Sequence, residues 1–254
     1  IEGALFGRIA GNILGAPVEG CQPWFMENLA KENQDPFPPV DYWKYVPQPF
    51  ELHNGFSPRE RYTRTKMDGV PVDDDLIYTL LGLLIIEDYG VDFTTDDVAK
   101  AWLKYLPFGY TAEEITLKNL KADVPALEAG AKDNPFTAWI GADIRSDPWG
   151  YLAPGYPELA AELAHRDAYV SHRRQGIYGE MFFSAAIAAA FQVSDPLEAV
   201  RIGLTEIPAH CTLAHDIHWA LAEAPSIHSY RQARDAIDKR FGAMSTVHTN
   251  NNAC

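Results

Sequence analysis

The feature that most constrains this chain is the stretch from Pro71 to Gly90. In it three successive aspartates, Asp73, Asp74 and Asp75, lead into an uncharged run from Leu76 to Ile86. Apolar residues cover nearly the whole circumference that this run would have as a helix, so the pattern predicts a helix enclosed by others. The run is well short of the roughly 20 residues that a membrane span requires, which places the burial inside a protein. The three acids then stand at the rim of a core. One carboxylate there is explained by capping, because an Asp side chain satisfies free NH groups at a helix start and suits the positive end of the dipole. Three exceed what a cap uses, and a divalent cation with oxygen ligands commonly stabilises such a cluster. From this stretch alone, capping and metal ligation both stay open.

With 254 residues the chain fits one large domain with a sizeable core. Its cysteines, Cys21, Cys211 and Cys254, are odd in number and lack CxxC spacing. That argues against a disulfide framework and for a reducing compartment, so a cytoplasmic location is expected. A net charge of −14 makes a nucleic-acid backbone an unsuitable partner, because such binding depends on clustered Lys and Arg. No stretch reads as a signal peptide or a membrane span, so no membrane partner is expected. Ile1 already lies in helix-like sequence, and Asn250-Asn-Asn-Ala-Cys254 follows a fresh apolar segment without a stop signal. The chain is therefore expected to be cut at both ends.

The rest of the sequence reads as helix after helix. The first helix is predicted from Ile1 to about Ala16, with Gly3, Gly7, Gly11 and Gly15 forming a row where a backbone or ligand could approach closely. Glu19 follows in its exit loop, where a charged side chain is ordinarily solvated. Residues 33–71 form a long connection of prolines and aromatics, of the kind that serves as a lid or binding loop. It ends in Arg59, Arg61, Arg64 and Lys66, read either as a solvated strip or as a cationic rim for a phosphorylated ligand. Thr94-Thr-Asp-Asp97, the capping box Thr111-Ala-Glu-Glu114, and Asp195-Pro-Leu-Glu198 each open a helix. Further helices are expected over 157–171, 177–192, 212–224 and 226–241. No alternating strand pattern is convincing, so the fold class is all-α.

Between helices lies Trp139 to Gly150, in which Arg145 offers a planar fork to phosphate or carboxylate; a helix-joining turn with one salt bridge would look the same. His172 ends a predicted helix, where the dipole favours a cation without any function. His210, Cys211, His215 and His218 are zinc-capable but lack a second ligand pair, so an exposed helix face is the default there.

Taken in order, Glu19, the Asp73 to Asp75 cluster, Ile140-Gly-Ala-Asp-Ile-Arg145 and Ser171-His172 resemble the ADP-ribosylglycohydrolase family along nearly the whole chain. The family's G-D-A-L-G-x-x-x-E is matched by Gly11-Asn-Ile-Leu-Gly-Ala-Pro-Val-Glu19, and its T-D-D-T by Val72-Asp-Asp-Asp75. Asn12 replaces an Asp, Val72 a Thr that ligates metal, and Asp75 the second Thr. The resemblance implies a single all-helical domain over 1–254, a compact orthogonal bundle that acts as a monomer. It implies a hydrolase that frees ADP-ribose from a modified protein side chain or a small-molecule conjugate. Glu19 inherits the catalytic role. Asp73, Asp74 and Asp75 inherit ligation of magnesium, binuclear in the family, with manganese an alternative. Asn12, Gly141, Ala142, Asp143, Arg145 and His172 inherit contacts around the ligand. The family completes its metal site with a D-x-D-x-x-G/A motif that has no match in residues 1–254. The chain is thus expected to be a fragment, inactive or nearly so by itself. The rival expectation is an inactive helical module that binds ADP-ribose or a nucleotide, motivated by Asn12 and Val72.

Overall fold

The helix-start signals in the sequence correspond to real caps. Thr94 and Asp97 form a reciprocal capping box at the head of the helix Thr95–Tyr105, and Asp195 accepts a hydrogen bond from the Leu197 NH at the head of Pro196–Thr205. In the computed structural model, which describes residues 1–254, the elements in chain order are α1 (Glu2–Gly15), α2 (Pro23–Asn33), α3 (Asp74–Tyr89), α4 (Thr95–Tyr105), α5 (Thr111–Lys121), α6 (Ala126–Ala129) and α7 (Asp147–Leu152). They continue with α8 (Pro157–Ala168), α9 (Gln175–Ala189), α10 (Pro196–Thr205), α11 (Thr212–Glu223), α12 (Tyr230–Phe241) and α13 (Thr249–Ala253). Strand pairing is limited to two isolated bridges, Leu52 with Pro58 and Trp139 with His248, so the chain is all-α. No helix is long and apolar enough to cross a membrane. The chain divides into two compact units, residues 1–77 and 78–254, with the division inside α3.

In the first unit, α1 runs into a 3-10 turn at Ala16–Val18 because Pro17 cannot continue the helix. The connection from residue 33 to residue 71 is packed against the unit. Trp43 and Val46 join Leu29 and Ala30 of α2 in one cluster, and Tyr62 joins Ile13 and Ala16 in another. Its basic strip is largely occupied with local ties. Arg59 donates to the Pro17 carbonyl at 2.6 Å, Arg61 pairs with Asp68, and Arg64 reaches Asp35 at 2.7 Å. Those three arginines do not form the cationic rim. No other part of the chain packs into the glycine row of α1: a Cβ added at Gly3, Gly7, Gly11 or Gly15 would meet nothing within 4 Å.

In the second unit, the alanine- and glycine-rich α9 lies between α8 and α10. Its small residues permit that closeness. A side chain at Gly179 would collide with Asp143 and Thr249, and one at Gly203 of α10 with the Phe182 backbone. Phe93 stacks on the buried Trp149 with ring centroids 4.9 Å apart. A second core gathers Phe182, Leu204, Ile207, Leu213 and Ile217.

Three local expectations are corrected. α3 buries Tyr78, Leu81, Gly82 and Ile85, while Leu80 and Leu83 are 60% and 50% exposed, so the helix is covered on one face only. α5 forms, but its first residue, Thr111, has φ +43° and makes no cap; Tyr110 precedes the helix instead, also without a side-chain cap. α12 starts late, at Tyr230, because Ser229 takes the N-cap and accepts from the Gln232 NH. The helices α2, α6, α7 and α13 carry too short or too mixed an apolar pattern to be read from periodicity.

Candidate active site

The carboxylates at the head of α3 are placed by the chain on either side of them. Val72 is pinned through its backbone: its NH donates to Ser57 Oγ at 2.8 Å, and its carbonyl accepts from the Tyr62 hydroxyl at 2.9 Å. Asp73 follows with 0% exposure and begins the helix through its carbonyl, which accepts from the Ile77 NH. One of its oxygens, Oδ2, accepts from the Tyr62 hydroxyl at 3.1 Å. The other, Oδ1, is buried with no hydrogen-bond partner. A buried carboxylate oxygen without a donor is costly unless a cation or proton meets it.

Asp74 and Asp75 complete the cluster, and one oxygen from each of the three residues lies within 4.8 Å of the others. Burial, followed by the hydrogen bond and charge of Asp73, pushes Asp74 up to about 8. Asp75 is also raised, by burial against the opposing attraction of Arg8. Its oxygens have donors from α1: Arg8 at 3.0 Å on Oδ1 and Asn12 Nδ2 at 3.2 Å on Oδ2. Asp73 and Asp74 are therefore the better placed ligands. The orphaned Asp73 oxygen and the all-oxygen donor set fit a hard divalent cation such as magnesium or manganese.

Glu19 is brought to the same cluster from the end of the 3-10 turn after α1. Its Oε2 lies 3.3 Å from Nε2 of His53 and accepts from Asn54 Nδ2 at 3.1 Å. Hydrogen bonding to His53 outweighs burial and holds the Glu19 carboxylate below its ordinary range, so it is ionised at neutral pH. His53 Nε2 is also 3.6 Å from Asp73 Oδ2. Sequence reasoning missed His53, Asn54 and Tyr62. Their one signal is that they fall in the long connection suspected of a binding role.

The second unit holds the remaining predicted residues in a different setting. Arg145 is buried, and its Nε donates to Asp167 at 2.6 Å and its Nη1 to Glu113 at 2.8 Å. Its Nη2 reaches Ser171 Oγ at 3.1 Å and Glu180 at 3.4 Å. The expected single salt bridge is in fact three. Burial works against its charge, but Asp167, Glu180 and Glu113 outweigh that and raise its pKa. Glu113 is nevertheless raised to about 6, and Glu180 well above the usual carboxylate range, because burial dominates for both. Gly141 leaves room for the Glu113 carboxylate, which a Cβ at that position would strike. Ala142 is buried beside Ala168 and Ile177.

Asp143 has both carboxyl oxygens buried without a hydrogen bond. Burial next to Thr249 raises it well above its ordinary value. His172 is fully buried, with Nδ1 2.7 Å from Ser171 Oγ and Nε2 3.9 Å from Glu113. Burial and the charges of Arg145 and Arg173 depress it well below its usual value, so it is a neutral imidazole and not the dipole-favoured cation expected at a helix end. In this arrangement Arg145 and His172 are buried and joined through Glu113 and Ser171. A cleft of about 610 Å³ opens nearby in sequence, lined by Thr137, Ala138, Arg174, Gln175 and His215 among others. Cys211 of the histidine-rich stretch serves as the N-cap of α11, its Sγ accepting from the Ala214 NH.

Residues 1–252 match the family model described as ADP-ribosylglycohydrolase. No curated protein and no solved structure gives a significant match.

Proposed function

Given that the chain belongs to the ADP-ribosylglycohydrolase family, a family of glycosyl hydrolases, we propose that it releases ADP-ribose from a modified protein side chain or small-molecule conjugate with the help of a divalent cation. The observation that carries this reading is the convergence of an ionised Glu19 on a carboxylate cluster whose innermost member, Asp73, has an oxygen with no partner. Asp73 and Asp74 would hold magnesium or manganese, with Asp75 steadied by Arg8 and Asn12 at their side. When bound, such a cation supplies orientation of ribose hydroxyls and stabilisation of developing negative charge. In this reading the reaction belongs to a protein in a reducing, cytoplasmic setting, consistent with three free cysteines.

Cleavage at ribose C1 passes through an oxocarbenium-like state and requires water on the side opposite the leaving group. A carboxylate that is ionised at neutral pH accepts protons, so Glu19 is suited to take one from that water or to hold a ribose hydroxyl by accepting its hydrogen bond. Its Oε2 is already engaged by Asn54 and faces His53, which leaves Oε1 for this work. Asn12 and Asp75, which depart from the family pattern, meet in a hydrogen bond. A carboxylate absent from α1 is thereby supplied from α3, and this favours retained chemistry over a dead site.

The test is release of ADP-ribose from arginine, serine and small-molecule conjugates by protein containing residues 1–254, with magnesium. Glu19→Gln should lower the rate about 10²–10⁴-fold, the range for loss of a positioned acid–base group. Release that survives both Glu19→Gln and Asp74→Asn would overturn the assignment. The second reading, a nucleotide-binding module, is favoured by the cleft at Arg174, whose size suits a ligand of nucleotide class. Tight ADP-ribose binding without a cation and without turnover of any conjugate would select it.

A further inference from the structure

The connection from residue 33 to residue 71 delivers one histidine to the carboxylates with more precision than packing alone requires. His53 opens a 3-10 turn whose ends are tied back: its NH donates to the Ser57 carbonyl at 2.9 Å, and its carbonyl accepts from the Phe56 NH at 2.8 Å. Asn54 completes the turn in the left-handed region, with φ 45° and ψ 32°, a conformation that Asn tolerates better than most residues. The imidazole stands edge-on to Tyr62, with centroids 5.4 Å apart, and its side chain is 9% exposed. Glu19, by contrast, has 57% of its side chain exposed and three rotatable torsions. Burial does not fix such a side chain; donors must.

We propose that His53, assisted by Asn54, is a positioning residue that locks the Glu19 carboxylate against Asp73. The geometry has the form of a relay of contacts. Nε2 of His53 lies 3.3 Å from Glu19 Oε2 and 3.6 Å from Asp73 Oδ2, and the Tyr62 hydroxyl holds that same Asp73 oxygen at 3.1 Å. The result is a Glu19 whose free oxygen is presented in one direction instead of sweeping through solvent. Residues that orient a reacting group or a metal ligand are commonly worth about 10–100-fold in rate or affinity when removed. The inference rests on the roles given to Glu19 and Asp73 in the proposed function.

The experiment compares His53→Ala and His53→Gln with the unaltered protein in three measurements. Helix content and melting establish that each variant folds. Steady-state release of ADP-ribose should show kcat lowered about 10–100-fold in His53→Ala with KM changed little, and partial recovery in His53→Gln, whose side-chain amide is a donor. Independently of turnover, ¹⁵N-edited NMR should show His53 ring resonances, from an imidazole whose Nε2 lies 3.3 Å from both Asn54 Nδ2 and Glu19 Oε2, that shift in Glu19→Ala. An unchanged kcat in a folded His53→Ala protein, or a His53 ring signal indifferent to Glu19→Ala, overturns the inference. If no conjugate is turned over by the unaltered protein but the ring signal responds to Glu19→Ala, the proposed function fails while the positioning contact stands.

Discussion

Two groups of acids in this molecule are handled in opposite ways. Around Arg145, three carboxylates meet one guanidinium, and all four side chains are at most 4% exposed. There the negative charge is met from within: the arginine donates to Asp167, Glu113 and Glu180, burial raises the Glu180 pKa, and Trp149 Nε1 donates to Glu180 at 2.8 Å. At the head of α3, Arg8 reaches Asp75, Asp74 is pushed up to about 8, and a buried Asp73 oxygen has no partner. A group whose charge is closed internally is part of the scaffold. A group left with excess negative charge has a place for something that the chain does not itself provide.

Removal of Arg145 should break the closed group and give the largest effect. Arg145→Met leaves buried carboxylates unpaired, and loss of one partner from such a pair costs about 3–5 kcal/mol. Urea unfolding should show a loss of that order, with Arg145→Lys recovering little, because an ammonium cannot reproduce the fork. A variant of normal stability would show that the group is not structural.

The open group should answer to cations. Magnesium or manganese should raise the melting temperature, by up to about 2.7 kcal/mol of added stability at a hundredfold excess over Kd. Asp74→Asn should remove that response, and above about pH 8, where Asp74 is ionised, it should leave the cation-free protein as stable as before or more so, since one of three neighbouring like charges is then gone. A shift that persists in Asp74→Asn would mean that the cation binds elsewhere.

pH separates the two groups further. Asp74 has a folded pKa of about 8, above that of an ordinary carboxylate in the unfolded chain, so the folded state retains a proton that the unfolded state has lost. Stability from this group is full below the unfolded value and declines as pH rises toward about 8. Glu113, raised to about 6, acts with the same sign but is finished by that pH. Cation-free protein should therefore lose stability between about pH 6 and 8, and Asp74→Asn should flatten that part of the curve. Denaturant midpoints measured across the range provide the check.

The smallest effect is expected at Arg174, exposed on the cleft of the second unit. If the cleft binds a nucleotide, Arg174→Ala should weaken ADP-ribose binding roughly fivefold in calorimetry, the scale of about 1 kcal/mol for an exposed charge. No change in affinity would remove the observation that favours the binding module.

What was legible in the sequence differs between these regions for a physical reason. Three adjacent aspartates ahead of an apolar run announce themselves, as do Thr94 with Asp97 and Asp195 with its following proline, because each signal is complete within four residues. The Arg145 group is assembled from positions 22 to 35 residues away, on α5, α8 and α9, and no local pattern encodes it. His53 lies 34 residues beyond Glu19, inside a connection without periodicity, so its meeting with Glu19 exists only after folding. The exposed Leu80 and Leu83 were hidden for another reason: an apolar run states what a helix can bury, and neighbours decide what it does bury.

The hydrogen bond between Asn12 and Asp75 also bears on the order in which substitutions can accumulate. With Asp75 present, changing Asn12 to Asp places two carboxylates about a hydrogen bond apart beside an already crowded pair of acids. With Asn12 present, changing Asp75 to Thr takes away a carboxylate that accepts from both Arg8 and Asn12. Each single step meets a penalty that the paired change avoids, so substitutions at residues 12 and 75 should be non-additive, each setting the cost of the other.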